Sequence, residues 1–304
     1  MIKHKGIMNE GMNKLSSADR ANILQRLCEG QSIRAIERST GNSKHTIIRL
    51  LNDAGRALGA YQDEAFRNLK TKRIQVDEIW SFTYAKQRNV PTAKAAPEWA
   101  GDTWTWTAID ADSKLVLSWL VGGRDSSYAT AFMDDVASRL ANRVQLTSDG
   151  HKAYLEAVEG AFGGDIDYAT LEKIYRTDPA AARGRYSPPV CIGAKKRRVE
   201  GDPDPRHVST SYVERQNLTM RMHARPFTRL TNAFSKKVEN HANAVALHFA
   251  YYNFVRTHKT LRVTPAMAAG ATDRLWEMAD LVAVLEATEA APAKRGPYKK
   301  RVKA

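Results

Sequence analysis

The chain has 304 residues with 18 Gly, 11 Pro and 43% apolar content, which fits an ordinary folded protein of about two domains and excludes wholesale disorder. Lys and Arg number 47 against 33 Asp and Glu, and the formal net charge of +14 points to polyanions, nucleic acid first. Cys28 and Cys191 are too few for a four-thiolate zinc site and too far apart to suggest a disulfide framework. That cysteine usage makes a reducing cytosol the default, and no membrane is expected because no window approaches the roughly 18 apolar residues of a membrane span.

Residues 1–14 carry positive charge without an apolar run and read as a flexible N-terminus. Residues 15–55 predict three short helices. Ser16 with Asp19 forms the pattern of a capping box, Ile23, Leu24 and Leu27 have helical spacing, and Gly30 ends the first helix. Ser32 caps a second helix with Ile33 and Ile36 inward, and Ser43 caps a third with Ile47, Ile48 and Leu51 inward, across the turn Thr40-Gly41-Asn42. That is the pattern of a helix-turn-helix. Its third helix leaves Lys44, His45, Thr46 and Arg49 on the outer face, where a recognition helix meets phosphates and base edges of duplex DNA.

A polar helical stretch at 56–72 reads as a linker, after which the period changes to that of strands. Ile74 to Phe82, Trp104 to Ile109 and Leu115 to Val121 are strand patterns, the last two joined as a hairpin through Asp110-Ala111-Asp112-Ser113-Lys114. Ser127 to Leu140 is helical, Val144 to Ser148 a strand ending at Asp149-Gly150, and a short helix follows His151. Residues 163–210 read as a polar, irregular insertion, apart from a strand at Ile166 to Thr170, and contain Lys195, Lys196, Arg197 and Arg198, placed to meet phosphate backbone. Helices are predicted at about Ser211 to His223, Thr231 to Thr257 and 271–288, and residues 289–304 as a basic disordered tail. The tryptophans at 80, 99, 104, 106 and 119 are expected in the core of the sheet. The fold class is α/β, a mixed sheet flanked by helices and preceded by an all-α unit.

Three acids end or interrupt these elements: Asp77 inside an apolar strand, Asp149 at a strand end before Gly, and Glu214 on a helix. Hard divalent cations prefer carboxylate oxygens, and two of them can activate a nucleophile and stabilise a leaving oxygen in phosphodiester chemistry. Asn217 and Arg221 follow Glu214 at i+3 and i+7, on the same helix face. Taken singly, each acid also reads as a structural residue, and Glu78, Asp110 and Asp112 read as mostly structural.

The strings Val76-Asp77-Glu78-Ile79-Trp80, Thr147-Ser148-Asp149-Gly150-His151-Lys152-Ala153-Tyr154 and Tyr212-Val213-Glu214-Arg215-Gln216-Asn217 resemble the three acidic motifs of bacterial insertion-sequence DDE transposases. Tyr252 to Leu261 and Thr264-Pro265 are similar to the segment closing such catalytic domains. The resemblance is to the first-described insertion-sequence group, without its zinc ribbon, and covers roughly 74–268. The acids stand 72 and 65 residues apart, the second step longer than usual, which implies an insertion before Glu214.

The resemblance implies an RNase H-like catalytic domain over 73–270. It implies a two-metal Mg2+ or Mn2+ site held by Asp77, Asp149 and Glu214, with Asn217 and Arg221 orienting water or phosphate. The reaction it implies is cleavage at element ends and transfer of a 3′-hydroxyl to target DNA. Partners would be terminal inverted repeats, target DNA and a second copy of the chain in a dimer or larger assembly, in the bacterial cytoplasm at the nucleoid. A DNA-binding regulator or inactive domesticated relative, and a nuclease of the same fold without strand transfer, stay open as alternatives.

Overall fold

The computed structural model describes residues 14–176, 190–228 and 231–289; the expected N-terminal segment and basic tail fall almost wholly outside them. Three helices open the described chain: α1 (Ser17–Cys28), α2 (Ile33–Thr40) and α3 (Lys44–Ala65). All three serine caps are made, Ser16 accepting from Asp19 N, Ser32 from Ala35 N and Ser43 from Thr46 N. Gly41 ends α2 at φ 73°, a left-handed position that a side chain resists. The structure departs from the expected linker, because α3 runs on through 56–65 and buries Ala57, Leu58 and Gln62. Apolar residues at helical spacing beyond Arg56 give this half of α3 a face to bury.

The mixed sheet is built from β1 (Arg73–Thr83), β2 (Gly101–Asp110), β3 (Val116–Gly122), β4 (Gln145–Ser148), β5 (Asp167–Arg176) and β6 (Val190–Glu200). Its order is β3-β2-β1-β4-β5-β6. The first three strands form an antiparallel meander, β4 and β5 run parallel to β1, and β6 returns antiparallel to β5. This is the mixed sheet of an α/β fold that the sequence predicts, with β6 as a strand beyond those expected. The β2–β3 turn uses the expected chemistry: Asp110 Oδ1 accepts from Asp112 N at 3.0 Å, and Lys114 takes φ 62°. The insertion is less irregular than expected, since β5 and β6 pair over Tyr168–Arg176 and Val190–Glu200. Polar, cationic residues hid β6 because both its faces meet solvent, which removes the alternation that marks a strand.

Helices α4 (Ser126–Ser138) and α5 (Ala153–Phe162) cover one face of the sheet; α6 (Ser211–His223) and α7 (Val238–Ala250) cover the other. The long helix expected from 231 to 257 begins only at Val238 and closes in a π-helical turn at Tyr251–Val255. Buried Asn253 there clamps the start of β3, accepting from Val116 N at 3.1 Å and donating to Val116 O at 2.9 Å. After the short α8 (Pro265–Ala268), the last helix, α9 (Met278–Thr288), starts later than the sequence pattern suggests.

One continuous apolar cluster runs from Ile23, Ile36 and Leu58 through Phe66, Phe254 and Leu285 to Val76 and Phe132. The N-terminal helices therefore share the core of the sheet. Of the five tryptophans expected in the core, only Trp106 is fully buried, and Trp99 is 41% exposed.

Candidate functional site

Parallel pairing of β1 with β4 ends at Gln75 opposite Thr147. Two residues further along each strand stand Asp77 and Asp149, so the two carboxylates meet where β4 stops and β1 continues. Ligands of α/β sheets bind at such carboxyl ends of strands. One carboxylate oxygen each from Asp77, Glu78 and Asp149 lie within 4.8 Å of one another, a group that could hold a metal ion. Glu78 was expected to be structural. Strand alternation sends it to the face opposite Asp77, and only the position of Asp149 at the open end of β4 brings all three together.

Helix α6 lies over Asp77 because Gln75, buried and on the same face of β1, caps it. Its Oε1 accepts from Tyr212 N at 2.8 Å and Val213 N at 3.2 Å. One turn on, Asn217 Nδ2 donates to Asp77 Oδ2 at 2.8 Å. Asn217 is 8% exposed, and its Oδ1 is buried without a partner. An orphaned carbonyl oxygen beside clustered carboxylates is a donor set suited to a hard divalent ion.

Glu214 lies outside the group of three. Its Oε1 accepts from the Thr210 hydroxyl at 2.6 Å, and its other oxygen is ion-paired with Lys173 of β5. Arg221 is half-buried in the last turn of α6.

Glu78 is held from its own side. Its side chain is 1% exposed; Arg124 pairs with Oε1 at 2.6 Å, and the Tyr154 hydroxyl donates to Oε2 at 3.1 Å. His151 Nε2 lies 3.9 Å from Oε1, its ring stacked on Trp106 with centroids 5.8 Å apart. Asp149 Oδ1 accepts from His151 N at 2.9 Å, which closes the turn into α5.

Burial pushes the Asp77 carboxyl up to about 7, and the charges of Glu78, Asp149 and Glu214 add to that. Burial and Asp149 also raise Glu78, while Arg124 opposes them. Without a cation, the site favours protonation at Asp77.

Of the expected DNA-contacting residues, Lys44, His45 and Arg49 are exposed at the start of α3, whereas Thr46 is half-buried with its hydroxyl 3.1 Å from that of Ser43. Lys195, Lys196, Arg197 and Arg198 are all exposed on β6. A cleft of about 710 Å3 lies apart from the acids, between the N-terminal helices and α7, lined by Leu27, Ile33, Ile48 and Leu247 among others. Among the described residues no helix is long and apolar enough to cross a membrane.

Sequence reasoning missed Glu78, Arg124, Tyr154 and Lys173. Glu78 and Tyr154 had one signal each, a place in the first and second acidic strings; Arg124 and Lys173 had none.

No family model and no curated protein matches the chain. Among solved structures it is similar to a piggyBac transposase in a synaptic complex with hairpin DNA, determined by cryo-EM. The identity is 9% and the TM-score 0.35, over 96% of this chain and 77% of that one.

Proposed function

We propose that the chain is a DNA transposase of the insertion-sequence type, a metal-dependent polynucleotidyl transferase acting on duplex DNA. The observation that carries the reading is the meeting of Asp77 and Asp149 at the carboxyl end of β4, with the unpaired Asn217 Oδ1 beside them. The resemblance of the three acidic strings to DDE transposases supports the same reading.

Asp77 and Asp149, with Glu78 beside them, would hold the Mg2+ or Mn2+ ions, and Glu214 would complete the set from α6. Bound ions would supply charge stabilisation at the attacking and leaving oxygens of the phosphodiester. Asn217 keeps the Asp77 carboxylate turned into the site, and Arg221 would meet substrate phosphate. Lys44, His45 and Arg49 would contact the element end, the helix-turn-helix delivering it, and Lys195 to Arg198 would hold flanking backbone. The assembly would be a dimer or larger, because transposition joins two ends.

The test measures Mn2+-dependent cleavage and strand transfer on labelled element-end DNA for the wild type, Asp77→Asn, Asp149→Asn and Glu214→Gln. Each variant is expected to lose both activities while retaining end binding. Cleavage without joining in the wild type would make the chain a nuclease, and normal cleavage by all three variants would refute the site.

A further inference from the structure

The four acids around the site divide by their partners. Glu78 has Arg124 and Glu214 has Lys173, whereas among the described residues no ion pair reaches Asp77 or Asp149. Those two receive neutral donors instead, the Asn217 amide and the His151 backbone N–H. A divalent ion entering the site therefore meets, at Asp77 and Asp149, two carboxyl groups that no cationic side chain of the described residues pairs with. At Glu214 it meets a carboxylate whose charge is already matched.

Lys173 stands three residues beyond Thr170, which pairs with Ser148 at the end of β4. Alternation along β5 puts it on the face of Ala169 and Leu171, which cluster with Val208 on the α6 side. Its side chain is 31% exposed, so the ammonium on its flexible stem can leave Glu214 without crossing packed core. In register it faces Ala194 of β6, next to the cationic run at Lys195. A phosphate backbone seated on that run would pass within reach of Lys173.

We infer that Lys173 is a resident counter-cation of the site. It neutralises Glu214 in the metal-free chain, so the acids take up one divalent ion unaided and a second only when substrate phosphate draws Lys173 away. The inference rests on the metal-site reading above. Lys173 is thus a positioning residue that ties full metal loading to the presence of DNA, and it suppresses a fully loaded site without substrate.

The test counts Mn2+ bound to the full-length chain by electron paramagnetic resonance and titration calorimetry, with and without a duplex oligonucleotide. Wild type, Lys173→Met, Lys173→Arg and Asp77→Asn are compared. The wild type and Lys173→Arg are expected to bind one ion without DNA and two with it. Lys173→Met should bind two without DNA, the second at least roughly tenfold more tightly than any second ion in the wild type, because a unit positive charge has left its vicinity. One ion in Lys173→Met, or two in the DNA-free wild type, overturns the inference. No ion in the wild type, or undiminished binding in Asp77→Asn, overturns the metal-site reading itself, so the two failures are distinct.

Discussion

Replacing Asp77 with Asn removes a charge from a place where burial and three neighbouring carboxylates oppose it, and keeps the shape. The Asn217 amide can still donate to the side-chain oxygen. A carboxyl lifted from its ordinary 3.8 to about 7 costs the ionised folded state about 4 kcal/mol, at about 1.4 kcal/mol per tenfold change in proton affinity. The folded chain keeps the Asp77 proton between pH 4 and 7, a window in which the unfolded chain has already released it. The Asp77 contribution to wild-type stability therefore falls as pH rises through that window and is level above it. Asp77→Asn escapes this loss. At pH 8 in EDTA it should be more stable by about 2 to 4 kcal/mol, the lower figure allowing for neighbouring acids that relax together. For a chain of 304 residues that is a melting temperature roughly 3 to 6 °C higher. At pH 4 the two proteins should melt together. Added Mn2+ should raise the wild type and leave the variant nearly unmoved, since a ligand stabilises only the state that binds it. Differential scanning calorimetry across this pH range checks all of it. A variant that melts below the wild type at pH 8 without metal, or by the same margin at pH 4 and pH 8, would refute the reasoning.

Arg124→Ala leaves the carboxylate of Glu78, 1% exposed, without its cation. It should cost roughly 1 to 3 kcal/mol in urea melts at pH 8 and less at pH 5, because Glu78 can then take a proton. Gly55→Ala would ordinarily favour a helix by up to about 1 kcal/mol, but a Cβ there would lie 2.5 Å from Asn243 Cβ and its carbonyl oxygen. Chemical denaturation should therefore show a loss of stability, and a gain would mean that α3 and α7 do not cross so closely. Neutralising Lys195, Lys196, Arg197 and Arg198 together should flatten the salt dependence of DNA binding, by a slope of roughly 0.9 in log affinity per log salt for each lost phosphate contact. An unchanged slope would assign the run to solvent alone.

The local features of the chain were legible in the sequence because their physics is local. A hydroxyl three residues before an amide caps a helix wherever the rest of the protein goes, so Ser16, Ser32 and Ser43 were readable from spacing. The Asp110 turn followed from the same short-range chemistry, and the alternation of apolar residues located the first four strands to within a few residues. Asp77 and Asp149 stood out because each lies in or at the end of an apolar strand, where an acid needs a reason.

Pairing decided the rest. Which residue of β4 lies beside Asp77 depends on a parallel register between strands more than 60 residues apart, and nothing local fixes it. That register made Glu78, on the opposite face of β1, a neighbour of Asp149. The same cause put Lys173 on Glu214: the β5–β6 hairpin carries a lysine across to α6, 41 residues further on in the chain. The fate of residues 56–65 was likewise decided at a distance. Their polarity reads as a linker until α7 supplies the surface on which Leu58 and Gln62 are buried, and Gln62 donates to the carbonyl of Ala246. Spacing along the chain determines helices, caps and turns through contacts a few residues long, whereas the grouping of charges into a site is set by which strands and helices come to lie side by side.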